Sequence, residues 1–206
     1  MLYFDYMATT PVDPRVRDKM WHYLGQEGVF GNASAVNHLA GQRALQAVEA
    51  ARAQVANTLN ASPTEIIFTS GATESNNLAL LGVARFYKRQ GNHIISMQTE
   101  HPSVLEPLAQ LEREGFDVTY LAPQPDGLLD LSALERALRA QTLLVSCMHV
   151  NNEIGVIQPI VQISALLKAR GILFHVDAAQ SVGKIPVDVQ AMGVDLLSLS
   201  AHKNYG

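Results

Sequence analysis

The chain contains a single cysteine, Cys147, so no disulfide can form within it. One thiol without a partner fits a reducing compartment. There is no cluster of Lys and Arg, and 15 basic residues face 19 acidic ones, for a net charge of −4. Nucleic acid and an anionic membrane surface are therefore poor candidates for the main partner. No apolar run is long enough to span a bilayer. The segment Met1–Tyr6 lacks the basic stretch and apolar stretch of a secretory signal. No internal repeat, low-complexity segment, linker or H-E-x-x-H ligand pair is present. These absences leave a soluble cytoplasmic protein as the expectation. Of the 206 residues 48% are apolar, enough for a sizeable core.

Apolar, β-branched-rich runs alternate with longer helical patterns. The runs Glu65–Phe68, His93–Met97, Val118–Leu121, Leu143–Met148, Leu173–Asp177 and Leu196–Ser200 read as strands. Several are almost continuously apolar, as strands buried on both faces of a sheet are. Helices are expected over Gln42–Asn60, Ser75–Gln90, Ser103–Glu114, Leu131–Ala140 and Ile160–Arg170. In the first, Leu45, Val48, Val55 and Leu59 form one stripe. Three of the others stop at Gly91, Gly115 and Gly171. This alternation predicts an α/β fold, a mostly parallel central sheet with helices on both faces. Residues up to Thr10-Pro11 read as an arm rather than a strand.

Open α/β sheets bind ligands beyond the carboxyl ends of their strands, so the residues after each run carry the functional reading. Thr69-Ser70-Gly71-Ala72-Thr73 is a glycine-containing turn at a helix N-terminus. Such a turn favours a phosphate, or is simply a capped helix start with Ser70 or Thr73 as the cap. Thr99-Glu100-His101 places a His where it could lie on a planar ring or act as an acid or base, or have no function. In Asn151-Asn152-Glu153 the amides could bind a carboxylate or form a turn. Asp177 ends a buried run and needs a partner. That partner is a protonated pyridine nitrogen, which would make a cofactor an electron sink, or an Arg or Lys. Gln180 follows closely and could bond a ring hydroxyl. Lys203, after Ser200 and His202, suits a lysine holding pyridoxal phosphate as a Schiff base. No one segment is specific; their joint occurrence in this order is.

Taken together, Asp5-Tyr6-Met7-Ala8-Thr9-Thr10-Pro11, Phe30-Gly31-Asn32, Phe68–Ser75, Thr99-Glu100-His101, Asn151–Gly155, His175-Val176-Asp177 and Ser200-Ala201-His202-Lys203 closely resemble the housekeeping cysteine desulfurases of iron–sulfur cluster assembly. These are fold-type I pyridoxal phosphate enzymes of the class V aminotransferase group. The resemblance runs from about Leu2 to Gly206 and covers the N-terminal half of such an enzyme. It implies a truncated large domain at 15–206, preceded by an arm, 1–14, that belongs to the small domain of the complete enzyme.

The resemblance also implies roles. Lys203 would bind pyridoxal 5'-phosphate covalently, and Asp177 would pair with its pyridine nitrogen. His101 would stack on the ring and help move protons, and Gln180 would bond the ring hydroxyl. Ala72 (through its backbone), Thr73, Ser200 and His202 would hold the phosphate, while Asn152 would face the ring and the substrate carboxylate. No metal is implied. The substrate would be L-cysteine, yielding L-alanine and an enzyme persulfide for iron–sulfur and thio-cofactor synthesis. The partners would be a second copy of the chain, an iron–sulfur scaffold and sulfur-acceptor proteins. Ala201, Met7 and Ala33 stand where the family usually has Gly, Ser or Asn, and Pro; none removes a proposed catalytic group.

The family's persulfide-forming Cys and substrate-clamping Arg lie in its C-terminal half. Cys147, inside an expected strand, reads as a core thiol rather than the sulfur acceptor. The chain alone is therefore expected to be inactive as a desulfurase and to expose an unpaired sheet edge. The alternatives are another class V enzyme (a selenocysteine lyase or an aminotransferase), a non-catalytic fragment, and, remotely, a metal-dependent hydrolase using His149, His175, Asp177 and His202.

Overall fold

The computed structural model describes residues 2–206, which form two compact units, one of residues 2–68 with 201–206 and the other of residues 69–200. In the first unit, α1 (Pro14–Leu24) begins at Asp13, whose carboxylate accepts from the Arg15 N–H. Helix α2 (Leu39–Leu59) buries Leu59 of the stripe, leaves Leu45, Val48 and Val55 half-buried, and ends at Asn60 in the left-handed conformation. A 3₁₀ turn, Pro63–Glu65, follows, with the Glu65 carboxylate accepting from the Ser62 N–H at 2.7 Å.

The run Glu65–Phe68, expected to be a strand, is not one. Glu65 belongs to the 3₁₀ turn, and Ile66 is extended but pairs with no strand among the described residues. Ile67 and Phe68 are 70% and 51% exposed. An apolar β-branched run becomes a strand only where another strand meets its N–H and C=O groups. Here Arg52 takes over part of that task, donating to the Ile66 carbonyl at 2.5 Å and lying 4.9 Å from the Phe68 ring centre.

The second unit contains α3 (Ala72–Tyr87), β1 (His93–Met97), α4 (Pro102–Arg113), β2 (Asp117–Leu121), α5 (Leu131–Ala137), β3 (Thr142–Met148), α6 (Ile160–Lys168), β4 (Leu173–Asp177), α7 (Val189–Met192) and β5 (Leu196–Ser198). The strands form one parallel sheet in the order β2-β1-β3-β4-β5. Strands β1 and β3 are buried throughout, which explains their nearly continuous apolar reading. From β1 the chain crosses to β2 on one side, then returns to β3 and continues outward through β4 and β5. With right-handed crossovers, that reversal puts α4 on one face of the sheet and α5, α6 and α7 on the other. Helix α3 packs beside α4.

The face under α3 and α4 changes character along the strands. Towards their starts it presents Ile94, Leu144, Leu173 and Leu196, packed with Leu80, Val83, Leu108 and Leu111 from the two helices. Two residues further on, the same face carries Ser96, Ser146, His175 and Ser198, and then Asp177. The apolar end supplies the cohesion, and the polar end gathers buried hydrogen-bonding side chains. Among the described residues no helix is long and apolar enough to cross a membrane.

Candidate functional site

The order of the strands reverses between β1 and β3, and open parallel sheets bind ligands beyond the carboxyl ends of their strands at such a point. Helix α3 points its first turn towards that end, since its Asn76 meets Asp177 while Leu80 and Val83 reach the apolar end. The helix starts at Gly71, whose φ of 152° and ψ of 179° form a backbone state open essentially to glycine alone. No side chain caps this helix, so capping by Ser70 or Thr73 is not what the turn provides. Thr69 ties the turn together through Gly71 O at 3.1 Å and Ser75 Oγ at 2.7 Å. The Glu74 carboxylate accepts from the Ser70 N–H, which holds its pKa below the usual carboxylate range. Ala72 is half-buried and the Thr73 side chain is exposed in this first turn.

Asp177, 6% exposed, closes β4. Its Oδ1 accepts from the Ala179 N–H at 2.9 Å and its Oδ2 from Asn76 Nδ2 at 2.8 Å. None of the ion pairs among the described residues involves it, so the Arg or Lys partner considered from the sequence is not what satisfies this carboxylate. Gln180 is buried three residues on, its Oε1 accepting from Lys184 Nζ at 3.2 Å.

His101 follows β1 and is half-buried. Its Nδ1 receives the Ser103 N–H at 3.1 Å and lies 2.8 Å from Ser103 Oγ, making it the cap of α4. Ser103 Oγ in turn lies 2.9 Å from Asn76 Nδ2. Asp177 and His101 are thereby joined through Asn76 and Ser103.

The two asparagines after β3 divide their labour. Asn151 is buried and forms the turn, its Oδ1 accepting from the N–H groups of Glu153 and Ile154 while its Nδ2 donates to Thr99 O at 3.0 Å. Asn152 is half-buried and donates to Glu153 Oε1 at 2.6 Å. Ser200, after β5, is buried.

Glu100 is buried beside these groups. Its Oε1 accepts from the Met148 N–H at 2.8 Å, and its Oε2 has no partner. Burial first, and the Asp177 charge as well, push its pKa well above the carboxylate range.

His202 and Lys203 belong to the first unit, on a 3₁₀ turn, Ala201–Lys203. There the His202 carbonyl accepts from the Thr10 N–H and hydroxyl, both at 2.9 Å, and His202 Nδ1 lies 3.0 Å from Thr9 Oγ1. Thr9 and Thr10 are thus bound to the lysine-bearing turn.

Asn76, Ser103 and Glu100 escaped the sequence reading. Only Asn76 left a signal: it is a poor helix former on the stripe that continues as Ala79, Leu80 and Val83. A polar residue on an apolar stripe marks a buried hydrogen-bonding group. The remote metal-hydrolase alternative loses His175, both of whose ring nitrogens are bonded to serines. Among the described residues no three His, Cys, Asp or Glu are placed to hold a metal ion.

The aminotransferase class-V family model matches residues 2–206. The cysteine desulfurase IscS of Vibrio cholerae is 60% identical over 205 residues, covering 100% of this chain and 51% of its own length. That of Photorhabdus laumondii is 58% identical with the same coverage. Among solved structures, SspA in complex with cysteine superposes with a TM-score of 0.96 at 45% identity, over 100% of this chain and 58% of its own. A NifS-like protein gives 0.95 at 40% identity, over 100% and 56%. The chain spans about half the length of the curated relatives it matches.

Proposed function

Since the chain belongs to the aminotransferase class-V family, we propose that it carries the cofactor-binding residues of a pyridoxal-phosphate-dependent cysteine desulfurase. The complete enzyme would take sulfur from L-cysteine, leave L-alanine and pass the sulfur on as an enzyme persulfide. It would work in the cytoplasm as a homodimer and serve an iron–sulfur scaffold and other sulfur acceptors. In it, residues 1–14 would act as an arm of the small domain and 15–206 as part of the large one.

One observation supports this most: Asp177 is a buried carboxylate whose oxygens meet only neutral donors. A buried charge without a cation is costly, and a pyridinium nitrogen would offset that cost. The donor set fits the group elsewhere too. The first turn of α3 has no side-chain cap to compete with a phosphate.

When bound, the cofactor would supply an electron sink. Asp177 would hold a proton on the pyridine nitrogen. The Ala72 and Thr73 N–H groups, the Thr73 and Ser200 hydroxyls and His202 would hold the phosphate. Gln180 would bond the ring hydroxyl, His101 would stack on the ring, and Asn152 would orient the substrate carboxylate. Lys203 would be the covalent anchor; for it and His202 the support is their place in the Ser200–Lys203 motif.

The test is addition of pyridoxal phosphate to the chain, borohydride reduction and peptide mapping. A reduced adduct on Lys203, absent in Lys203→Ala, is expected. An adduct on Lys184 or Lys168, or none at saturating cofactor, would overturn the reading.

A further inference from the structure

We propose that Asn76, donating to both Asp177 and Ser103, anchors a hydrogen-bond relay that holds His101 as the tautomer with its proton on Nε2. The relay consists of four side chains from three elements and their flanks: Asp177 at the end of β4, Asn76 on α3, Ser103 in the first turn of α4, and His101 just before it.

Its direction follows from counting protons. The Ser103 N–H points at His101 Nδ1 at 3.1 Å, and a backbone N–H can only donate. Nδ1 is therefore an acceptor, and the ring proton sits on Nε2. Ser103 Oγ lies 2.8 Å from the same Nδ1, so this contact uses the single hydroxyl proton. Ser103 Oγ has none left and can only accept from Asn76, 2.9 Å away. The second N–H of the same amide goes to Asp177 Oδ2 at 2.8 Å. Turning the amide over would set its oxygen against a carboxylate oxygen and a spent hydroxyl. One arrangement of protons satisfies every contact.

The cost of this arrangement argues that it is used. Asn76 is 0% exposed, and its Oδ1 has no hydrogen-bond partner. An apolar residue would suit the helix and its packing better. Capping of α4 needs only His101 and the Ser103 N–H; it needs neither Asn76 nor the serine hydroxyl.

The link to chemistry rests on the cofactor-site reading above; the tautomer does not. In that site Asn76 and Ser103 are positioning residues. They join the group that holds the pyridine proton to the group that covers the ring. His101 then offers an N–H from Nε2, and its basic lone pair faces Ser103. This narrows the expected proton-handling role of His101 to donation from Nε2.

The experiment uses the 206-residue chain labelled with ¹⁵N-histidine, without cofactor, at about pH 8, above the ordinary imidazole pKa of about 6.5. Long-range ¹H–¹⁵N correlations report the tautomer, and His101→Gln assigns the signal. Two donors on Nδ1 predict an Nε2–H excess of roughly tenfold or more. Ser103→Ala, leaving only the backbone donor, should cut it to a few-fold, and Ser103→Thr should restore it. Asn76→Leu, which frees the hydroxyl to turn away, should also lower it. An Nδ1–H tautomer in the unsubstituted chain, or no change in Ser103→Ala, would overturn the relay. Adding pyridoxal phosphate separates the two readings. The Nε2–H tautomer without cofactor binding supports the relay and defeats the site. Cofactor on Lys203 with an Nδ1–H tautomer does the reverse.

Discussion

Ser146 Oγ lies 2.8 Å from His175 Nδ1, across the paired strands β3 and β4. On the other side, His175 Nε2 lies 3.1 Å from Ser198 Oγ on β5. A fully buried imidazole therefore stitches three strands together directly beneath the Asp177 end of the sheet. His93 repeats the device near the strand starts, bonding Thr142 on β3 at 2.7 Å and Thr119 on β2 at 2.9 Å.

These histidines make stability depend on pH. Burial lowers the pKa of His175 to about 4, against a partial opposing pull from Asp177. Unfolded, the ring titrates near 6.5. The folded pKa is the lower one, so the contribution is complete above about pH 6.5 and drains away as pH falls through about 4. The full loss is on the order of 3 kcal/mol. The urea midpoint should therefore fall between pH 6.5 and 4, and less steeply in His175→Gln. Parallel slopes in the two proteins would remove His175 as the cause.

Glu100 should act in the opposite direction. Its folded pKa is raised, mainly by burial, so its contribution is complete below the ordinary carboxyl pKa and is lost as pH rises. Glu100→Gln keeps an acceptor for the Met148 N–H and removes the ionisable proton. The variant should stand better against the native chain at about pH 8 than at about pH 5, above the ordinary carboxyl pKa. Denaturation curves at both ends of that range check this; a constant difference would show that Glu100 does not titrate between the two states.

Cys147 should be silent until the chain unfolds. It lies buried in β3, its Sγ 3.7 Å from Met97 Sδ, and burial pushes its pKa well above that of a free thiol. Thiolate is the reactive form, so both access and chemistry oppose modification. Labelling by a thiol reagent should follow the rate of opening and become rapid only in denaturant. Prompt stoichiometric labelling of the folded chain would show the thiol to be accessible.

Leu80 should be a costly residue to truncate. It is fully buried on α3 and packs in the cluster with Ile94 and Leu144. Leu80→Ala should cost about 2–5 kcal/mol, from lost burial and the cavity left behind. Urea unfolding measures it, and a loss under about 1 kcal/mol would mean that α3 repacks to fill the space.

What the amino-acid order determined by itself is the parallel α/β plan. Strands buried on both faces write themselves as apolar runs, and His93–Met97 and Leu173–Asp177 begin and end where read. The residues after those runs could also be singled out as candidates, because position beyond a strand end is a local property. The Glu65–Phe68 run shows the limit of that information: its composition suits a strand, but strand formation also needs a partner, and composition does not encode one. The relay around Asp177 was beyond reach for a related reason. Asn76 and Asp177 are 101 residues apart, and Asn76 and Ser103 are 27 apart. Their hydrogen bonds exist because α3 lies on the sheet with its first turn over the polar ends of the strands. Only tertiary packing decides which distant polar side chains meet there, and burial then makes each of those meetings count.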